Sequence, residues 1–390
     1  MAKRVAFIFT HRIQYFTNLL DELSKRGTIE PLAIYARETT RIDDPGFDRR
    51  VQWDNRQQIA CSEVILQNTT NHLQHHSLGG FSLRLNRALA SFRPASVHLN
   101  GYGDAIQWQA LWWARSQRVP IFLRGDGDTL RKRKSLFHLL TRGLVRLFTK
   151  QAHVVFFQGE ENKKFWLANG ASVDRLWWIP CVSDTEIFQK RAFSSTEERL
   201  KFREGHGARG DDVVFLVSGK LISRKRPADA IRALSQSREA GTHLWFLGSG
   251  PLEDDLKRLT VELGLNDRIE FWGFKNQTEM SSILQAADVM VHPAEHDPWP
   301  YAVLEGAHSG LALLLSDCTG SCVDWIDRYR AGLSFRCRDV DSLAFAMRAA
   351  ATDHDKRRAW QKSAREVAQG HTETKFCEIL EQAVLQETRI

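Results

Sequence analysis

The second half of the chain is built from short apolar runs: DVVFLVSGK (212–220), HLWFLGSGP (243–251), RIEFWGF (268–274), DVMVHP (288–293) and LALLLSD (311–317). Between them lie stretches with helical periodicity, near 227–236, 252–263, 277–286 and 302–309. This alternation constrains the fold more than any other feature. A strand that is apolar at every position has no solvent face, so it must be covered on both sides. A chain that goes strand, helix, strand brings its strands back parallel. The first half follows the same rule with VAFIF (5–9), PLAIY (31–35), SVHLN (96–100), PIFLR (120–124), HVVFFQG (153–159) and LWWIP (176–180). Helices are expected at 14–26, with Leu19, Leu20 and Leu23 on one face, at 105–116, and from Glu160 onward.

Two such series mean an α/β protein with two Rossmann-like, doubly wound parallel-sheet domains, and 390 residues exceed what one ordinary core holds. The expected divisions are a first domain at 1–190, a polar, glycine-punctuated linker at 191–211, a second domain at 212–365, and a C-terminal helix at 366–390 packing back toward the first domain. Ligands of open α/β sheets bind beyond the carboxyl ends of the strands, so a cleft between the domains is the expected site.

Several classes are disfavoured. The net charge is +7, but residues 129–150 alone hold seven Lys/Arg and no acid, so the remainder is neutral and a general nucleic-acid binder is not indicated. No apolar run reaches the ~18–20 residues of a membrane span. The N-terminal MAKRVAFIFTHR reads as a first strand, not a signal peptide. Six scattered cysteines fit neither a disulfide framework nor a zinc spacing; Cys318 and Cys322 come nearest, without further ligands beside them. Thiols of a reducing cytoplasm are expected, with no metal and no cofactor.

Four constellations could carry chemistry. GKLISRKRP (219–227) places Lys220 and Lys225 on a loop entering a helix, where ammonium groups and helix amides suit a diphosphate; a solvated basic turn is the plain alternative. GSGP (248–251), with Gly250, makes a tight turn that also lets backbone approach a ligand. EHDPWPYAVLEG (295–306) sets Asp297 just before a helix over 301–309 and Glu305 about one turn inside it, with Pro300 in the first turn and the aromatics Trp299 and Tyr301 around it. Carboxylates that accept from vicinal diols are what sugar recognition requires; helix capping is the plain alternative for Asp297. Finally, Asp126-Gly127-Asp128 has the spacing of a metal-binding carboxylate pair, but an acceptor-side role or a helix cap also accounts for Asp126.

Taken together, the run 213–335 resembles the donor-binding domain of the GT-B retaining glycosyltransferases of the large fourth family. That domain shows a G-R-L-x-x-x-K-G loop, a G-x-G-P turn, an F-x-G turn and an E-P-F-G-x-x-x-x-E segment. This chain has GKLISRKR, GSGP, FWGF and DPWPYAVLE in the same order. The resemblance implies that Glu305 binds the ribose diol, that Lys220 and Lys225 neutralise the donor diphosphate, that Gly273 and Phe274 border the base, and that Asp297 reaches hydroxyls of the transferred sugar. Lys220 stands for the usual arginine, Asp297 for glutamate and Pro300 for glycine, which bears on the identity of the donor sugar. HRIQYF (11–16), NGYGDAIQWQ (100–109) and LRGDGD (123–128) are similar to the N-terminal half of family members, placing His11, Gln14, Tyr102, Arg124 and Asp126 on the acceptor side.

Positions 134, 138, 142, 146 and 150 form a basic strip opposite Leu136, Leu139, Leu140, Leu144, Leu147 and Phe148. Such an amphipathic helix either rests on anionic lipid or packs on the core with a solvated edge. The expected function is transfer of a sugar from a nucleotide diphospho-sugar to a glycan or lipid-linked saccharide, without metal, in the cytoplasm or at the inner membrane face. A sugar-nucleotide epimerase and a non-catalytic glycan- or membrane-binding relative are the alternatives.

Overall fold

The computed structural model describes residues 2–12, 14–37, 42–44, 49–51, 60–67, 82–130 and 136–388. Along the chain the strands are β1 (Lys3–Phe9), β2 (Ile29–Arg37), β3 (Ile42–Asp44), β4 (Arg49–Val51), β5 (Ser62–Gln67), β6 (Ser96–Asn100), β7 (Ile121–Arg124), β8 (Val154–Phe157), β9 (Leu176–Trp178), β10 (Val213–Ser218), β11 (Thr242–Leu247), β12 (Ile269–Gly273), β13 (Val289–His292), β14 (Ala312–Ser316) and β15 (Gly332–Phe335). They form two compact units: residues 1–42, 55–182 and 372–390, and residues 43–54 and 183–371. β3 and β4 pair as a separate ribbon.

In the first unit seven parallel strands lie in the order β5-β2-β1-β6-β7-β8-β9. Alternation along β1 shows why residues 5–9 are all apolar. Val5, Phe7 and Phe9 face a layer with Leu19, Leu20 and Leu23 of helix Gln14–Arg26, while Ala6 and Ile8 face the opposite layer with Ala110 and Leu111 of helix Ala105–Ser116. The C-terminal helix Glu373–Glu387 completes the first layer through Cys377, Leu380 and Val384, and Arg26 grips Glu381 through two hydrogen bonds of 3.1 and 2.9 Å.

The second unit has six parallel strands in the order β12-β11-β10-β13-β14-β15. Phe215, Phe246, Val291 and Leu314 pack on one face with Ala230, Leu234, Leu343 and Met347. On the other, helix Tyr301–Ser309 packs over β13, and a Cβ at Gly306 would stand 2.8 Å from Met290 Cε. Within the stretch expected as linker, Thr196–Glu204 is a helix of this unit. It is anchored because Arg203, 1% exposed, and Arg199 both reach the Asp288 carboxylate at 2.9 Å, at the start of β13.

Helix Leu136–Gln151 buries Phe148 but turns Leu144 (54% exposed) and Leu147 (43%) to solvent beside Arg142, Arg146 and Lys150. Its expected apolar side is therefore not all core. Positions 131–135 and the side chains of 136–140 lie outside the described residues. No helix among the described residues is long and apolar enough to cross a membrane.

Candidate functional site

The strand order of the second unit reverses between β10 and β13, so the loops that leave these two strands diverge and open a crevice. The loop after β10 carries Lys220 and Lys225; the loop after β13 carries Asp297. The two loops are tied together: Glu295 N donates to Arg224 O at 3.0 Å, and the Arg224 side chain donates through Nη1 to His296 O at 2.6 Å. Lys225 lies in the turn Ser223–Lys225, and its ammonium forms an ion pair and hydrogen bond with the Asp297 carboxylate. His292, 2% exposed at the end of β13, brings Nε2 to 3.2 Å from the same carboxylate oxygen. Its one mark in the sequence was a polar residue closing an apolar run.

Burial works against ionisation of Asp297, yet His292 and the Lys225 ammonium outweigh it and hold the carboxyl well below the usual carboxylate range. Burial lowers the His292 imidazole, and the Lys225 charge lowers it further. At neutral pH the cluster is thus one ammonium, one carboxylate and a neutral ring.

The Asp297 backbone is pinned from the segment that follows β14. It bridges to Thr319, and Gly320 N donates to Asp297 O at 2.8 Å. Trp299, 9% exposed, stacks on His371 at 5.9 Å and so anchors the loop inward. Pro300 stands at the cap of helix Tyr301–Ser309, one residue earlier than the first-turn position expected, and Tyr301 is half-buried. Glu305 is 4% exposed, on the first turns of that helix.

The turn with Gly250 packs against the Lys220 loop. Leu221 N donates to Ser249 O at 3.0 Å, and a Cβ at Gly250 would lie 2.6 Å from Leu221 O. Gly248, at φ +141°, would place a Cβ 2.0 Å from Gly219 O. These glycines are required by loop-on-loop packing, whatever else they serve. Gly248 N also donates to Gly273 O at 2.9 Å, which links the turn carrying Gly273 and Phe274, both half-buried, to the same loop stack.

The residues expected on the acceptor side all belong to the first unit. Its strand order reverses between β1 and β6, where Thr10 Oγ1 donates to Asp104 Oδ2 at 2.6 Å. His11 and Tyr102 lie on those two loops and are half-buried; the Gln14 side chain lies outside the described residues. Arg124, 5% exposed, sits at the end of β7 with its guanidinium over Phe16 at 5.1 Å. Asp126 is exposed and accepts from Gln158 Nε2 at 3.0 Å. Asp128 accepts from Leu130 N at 3.0 Å, a local turn bond. Buried Asn162 holds this loop by donating to Gly125 O (2.9 Å) and Gly127 O (2.7 Å), a clamp the sequence reading missed.

Two parallel sheets of seven and six strands, the second with a charged pair at its crevice, define the GT-B class. Residues 198–367 match the model of the glycosyl transferases group 1 family. It is 34% identical over 139 residues, 35% of this chain, to the lipopolysaccharide core biosynthesis glycosyltransferase LpsD of Rhizobium meliloti, of whose length it spans 39%. Among solved structures, Anabaena HepE in complex with UDP aligns over 98% of this chain and 100% of its own with TM-score 0.74 at 14% identity. WaaG, a glycosyltransferase involved in lipopolysaccharide biosynthesis, aligns over 97% of this chain and 98% of its own with TM-score 0.66 at 16% identity.

Proposed function

We propose that the protein is a retaining glycosyltransferase that moves a sugar from a nucleotide diphospho-sugar to a glycan or lipid-linked saccharide acceptor. The observation that carries this reading is the Lys225–Asp297 pair across the crevice of the unit that matches the group 1 family model. In the donor complex the diphosphate takes Lys225 from Asp297, with Lys220 as a second cation, and Asp297 turns to a hydroxyl of the transferred sugar. Glu305 accepts from the ribose diol. Asp297 is held ionised and has no proton to give, so it binds and orients rather than acting as an acid.

The acceptor oxygen bonds to the anomeric carbon as the bond from that carbon to the diphosphate breaks. The acceptor's hydroxyl proton passes to a diphosphate oxygen on the same face, so the anomeric configuration is kept. Charge developing on the diphosphate meets fixed ammonium groups, and the reading requires no metal ion. The names of LpsD and WaaG favour an acceptor of the lipopolysaccharide core type, and HepE's UDP favours a uridine donor.

The exposed Leu144 and Leu147 beside Arg142, Arg146 and Lys150 support peripheral docking on anionic lipid at the cytoplasmic face, where a lipid-linked acceptor resides.

The test is a thermal-shift panel of UDP-, GDP-, ADP- and CMP-sugars, followed by the anomeric configuration of the product by NMR. One donor class at a hundred times its Kd should stabilise the fold by about 2.7 kcal/mol. Indifference to all four classes, or an inverted product, overturns the reading.

A further inference from the structure

β14 and β15 run parallel with Ser316 opposite Phe335. That register carries past the strand ends and brings Asp317, Cys318 and Cys337 side by side, their ligand atoms all within 4.8 Å of one another. Both thiols are free and half-buried, and Asp317 is exposed. The sequence had paired Cys318 with Cys322 as nearest neighbours. Cys322 is instead buried at the start of the turn Val323–Arg328 and does not belong to the trio.

We propose that Asp317, Cys318 and Cys337 bind a zinc ion. Two thiolates and a carboxylate are a borderline-soft donor set that suits Zn²⁺ over Mg²⁺ or Ca²⁺. With Zn–S near 2.3 Å, tetrahedral geometry sets the two sulfurs ~3.8 Å apart, inside the observed spread. The backbone already orders the ligands. Cys337 N donates to Asp317 Oδ1 at 2.9 Å, Cys318 N to Ser316 Oγ at 3.2 Å, and Asp317 N to Phe335 O at 3.0 Å. Three anionic ligands and a dication leave one net negative charge on the site. Water takes the fourth position.

The ion would act through the loops it joins. Thr319 and Gly320, directly after the ligands, hold the Asp297 backbone, and Arg338 pairs with Glu295 at 2.7 Å. Zinc would therefore brace the loop that carries Asp297 while supplying no step of any transfer. The site stands or falls independently of the glycosyltransferase reading.

The experiment titrates the full chain, stripped of metal and reduced with a phosphine, with Zn²⁺ by calorimetry and with Cd²⁺ by the thiolate-to-metal charge-transfer band. One equivalent should bind, more tightly as pH rises because thiol protons are displaced. Cys318→Ser, Cys337→Ser and Asp317→Asn should each weaken binding about ten-fold or more, while Cys61→Ser, an unrelated half-buried thiol, leaves it unchanged. Metal-free melting temperatures matching wild type show the variants folded, and zinc should raise only the wild-type and Cys61→Ser values. Binding below one equivalent, or unweakened binding in Cys337→Ser, overturns the proposal. So does a reduced chain that ignores zinc but forms a Cys318–Cys337 disulfide on oxidation.

Discussion

Lys225 and Asp297 stand 72 residues apart in the chain yet share an ion pair, because β10 and β13 are neighbours at the point where the strand order reverses. Each side chain is mostly buried, at 18% and 14% exposed, so the pair is shielded from solvent and neither member is idle surface charge. A ligand that displaces one partner must offer a charge or hydroxyls to both. A sugar diphosphate does this in a single molecule.

Removing the ammonium should therefore damage catalysis more than folding. Lys225→Ala is expected to lower kcat/KM for sugar transfer by roughly 10²–10³-fold, the range for deleting one preorganised group that meets developing charge. Lys225→Arg should recover part of the loss, since charge is kept but geometry changes. Initial rates, with melting temperature as the folding control, check this. Near-normal turnover by Lys225→Ala removes the diphosphate role.

Glu305 separates donor affinity from chemistry. Its carboxylate is 4% exposed, and glutamine preserves its shape while removing its charge. Glu305→Gln should weaken calorimetric binding of the free nucleotide diphosphate by about ten-fold, the value of one charge-assisted hydrogen bond. The melting temperature without ligand should change little. Unchanged nucleotide affinity assigns the ribose to another residue.

Much of this was legible because local and global preferences agree. Helices Gln14–Arg26 and Ala105–Ser116 and strand β6 begin and end where periodicity and punctuation put them. β15 escaped notice: its four residues, GLSF, are too short to show a period, and its glycine is there because a Cβ at Gly332 would meet Leu313 O at 1.7 Å. The helix Thr196–Glu204 was hidden by its charge, since its burial depends on Arg203 reaching an aspartate 85 residues away. The site divided in the same way. Loop chemistry marked Lys225 and Asp297, but their contact, and the part played by His292, depend on strand order, which no local stretch encodes.

Buried histidines predict how stability responds to acid. His98, fully buried between the rings of Phe7 and Phe156, is pushed down to about 3 by burial and then by the Arg124 charge. His308 is pushed down to about 4 by burial and then by His371. In the unfolded chain both take a proton near pH 6.5, so between there and the folded values the unfolded state holds more protons. The stability conferred by the neutral rings is intact above pH 6.5. Below it, each ring costs ~1.4 kcal/mol per pH unit. Melting temperatures should fall from pH 6.5 to 5, and His98→Leu should flatten the slope. A slope unchanged in that variant means His98 does not report the titration.

The lipid surface is the last expectation and turns on side chains the fold leaves outward. Leu144 and Leu147 are about half exposed, next to Arg142 and Arg146, so the helix presents this face to solvent. Each basic residue near an anionic bilayer contributes about 1 kcal/mol. Removing two charges by Arg142→Gln with Arg146→Gln should then cut partitioning onto phosphatidylglycerol vesicles roughly 30-fold at low salt. Leu144→Ser with Leu147→Ser should weaken it as well, and rising salt should erase the charge-dependent share. Neutral phosphatidylcholine vesicles should bind weakly throughout. Cosedimentation reads all of these. Were the helix only a packed element with a wet edge, the charge variants would leave sedimentation unchanged, and the leucine pair would show only in the melting temperature.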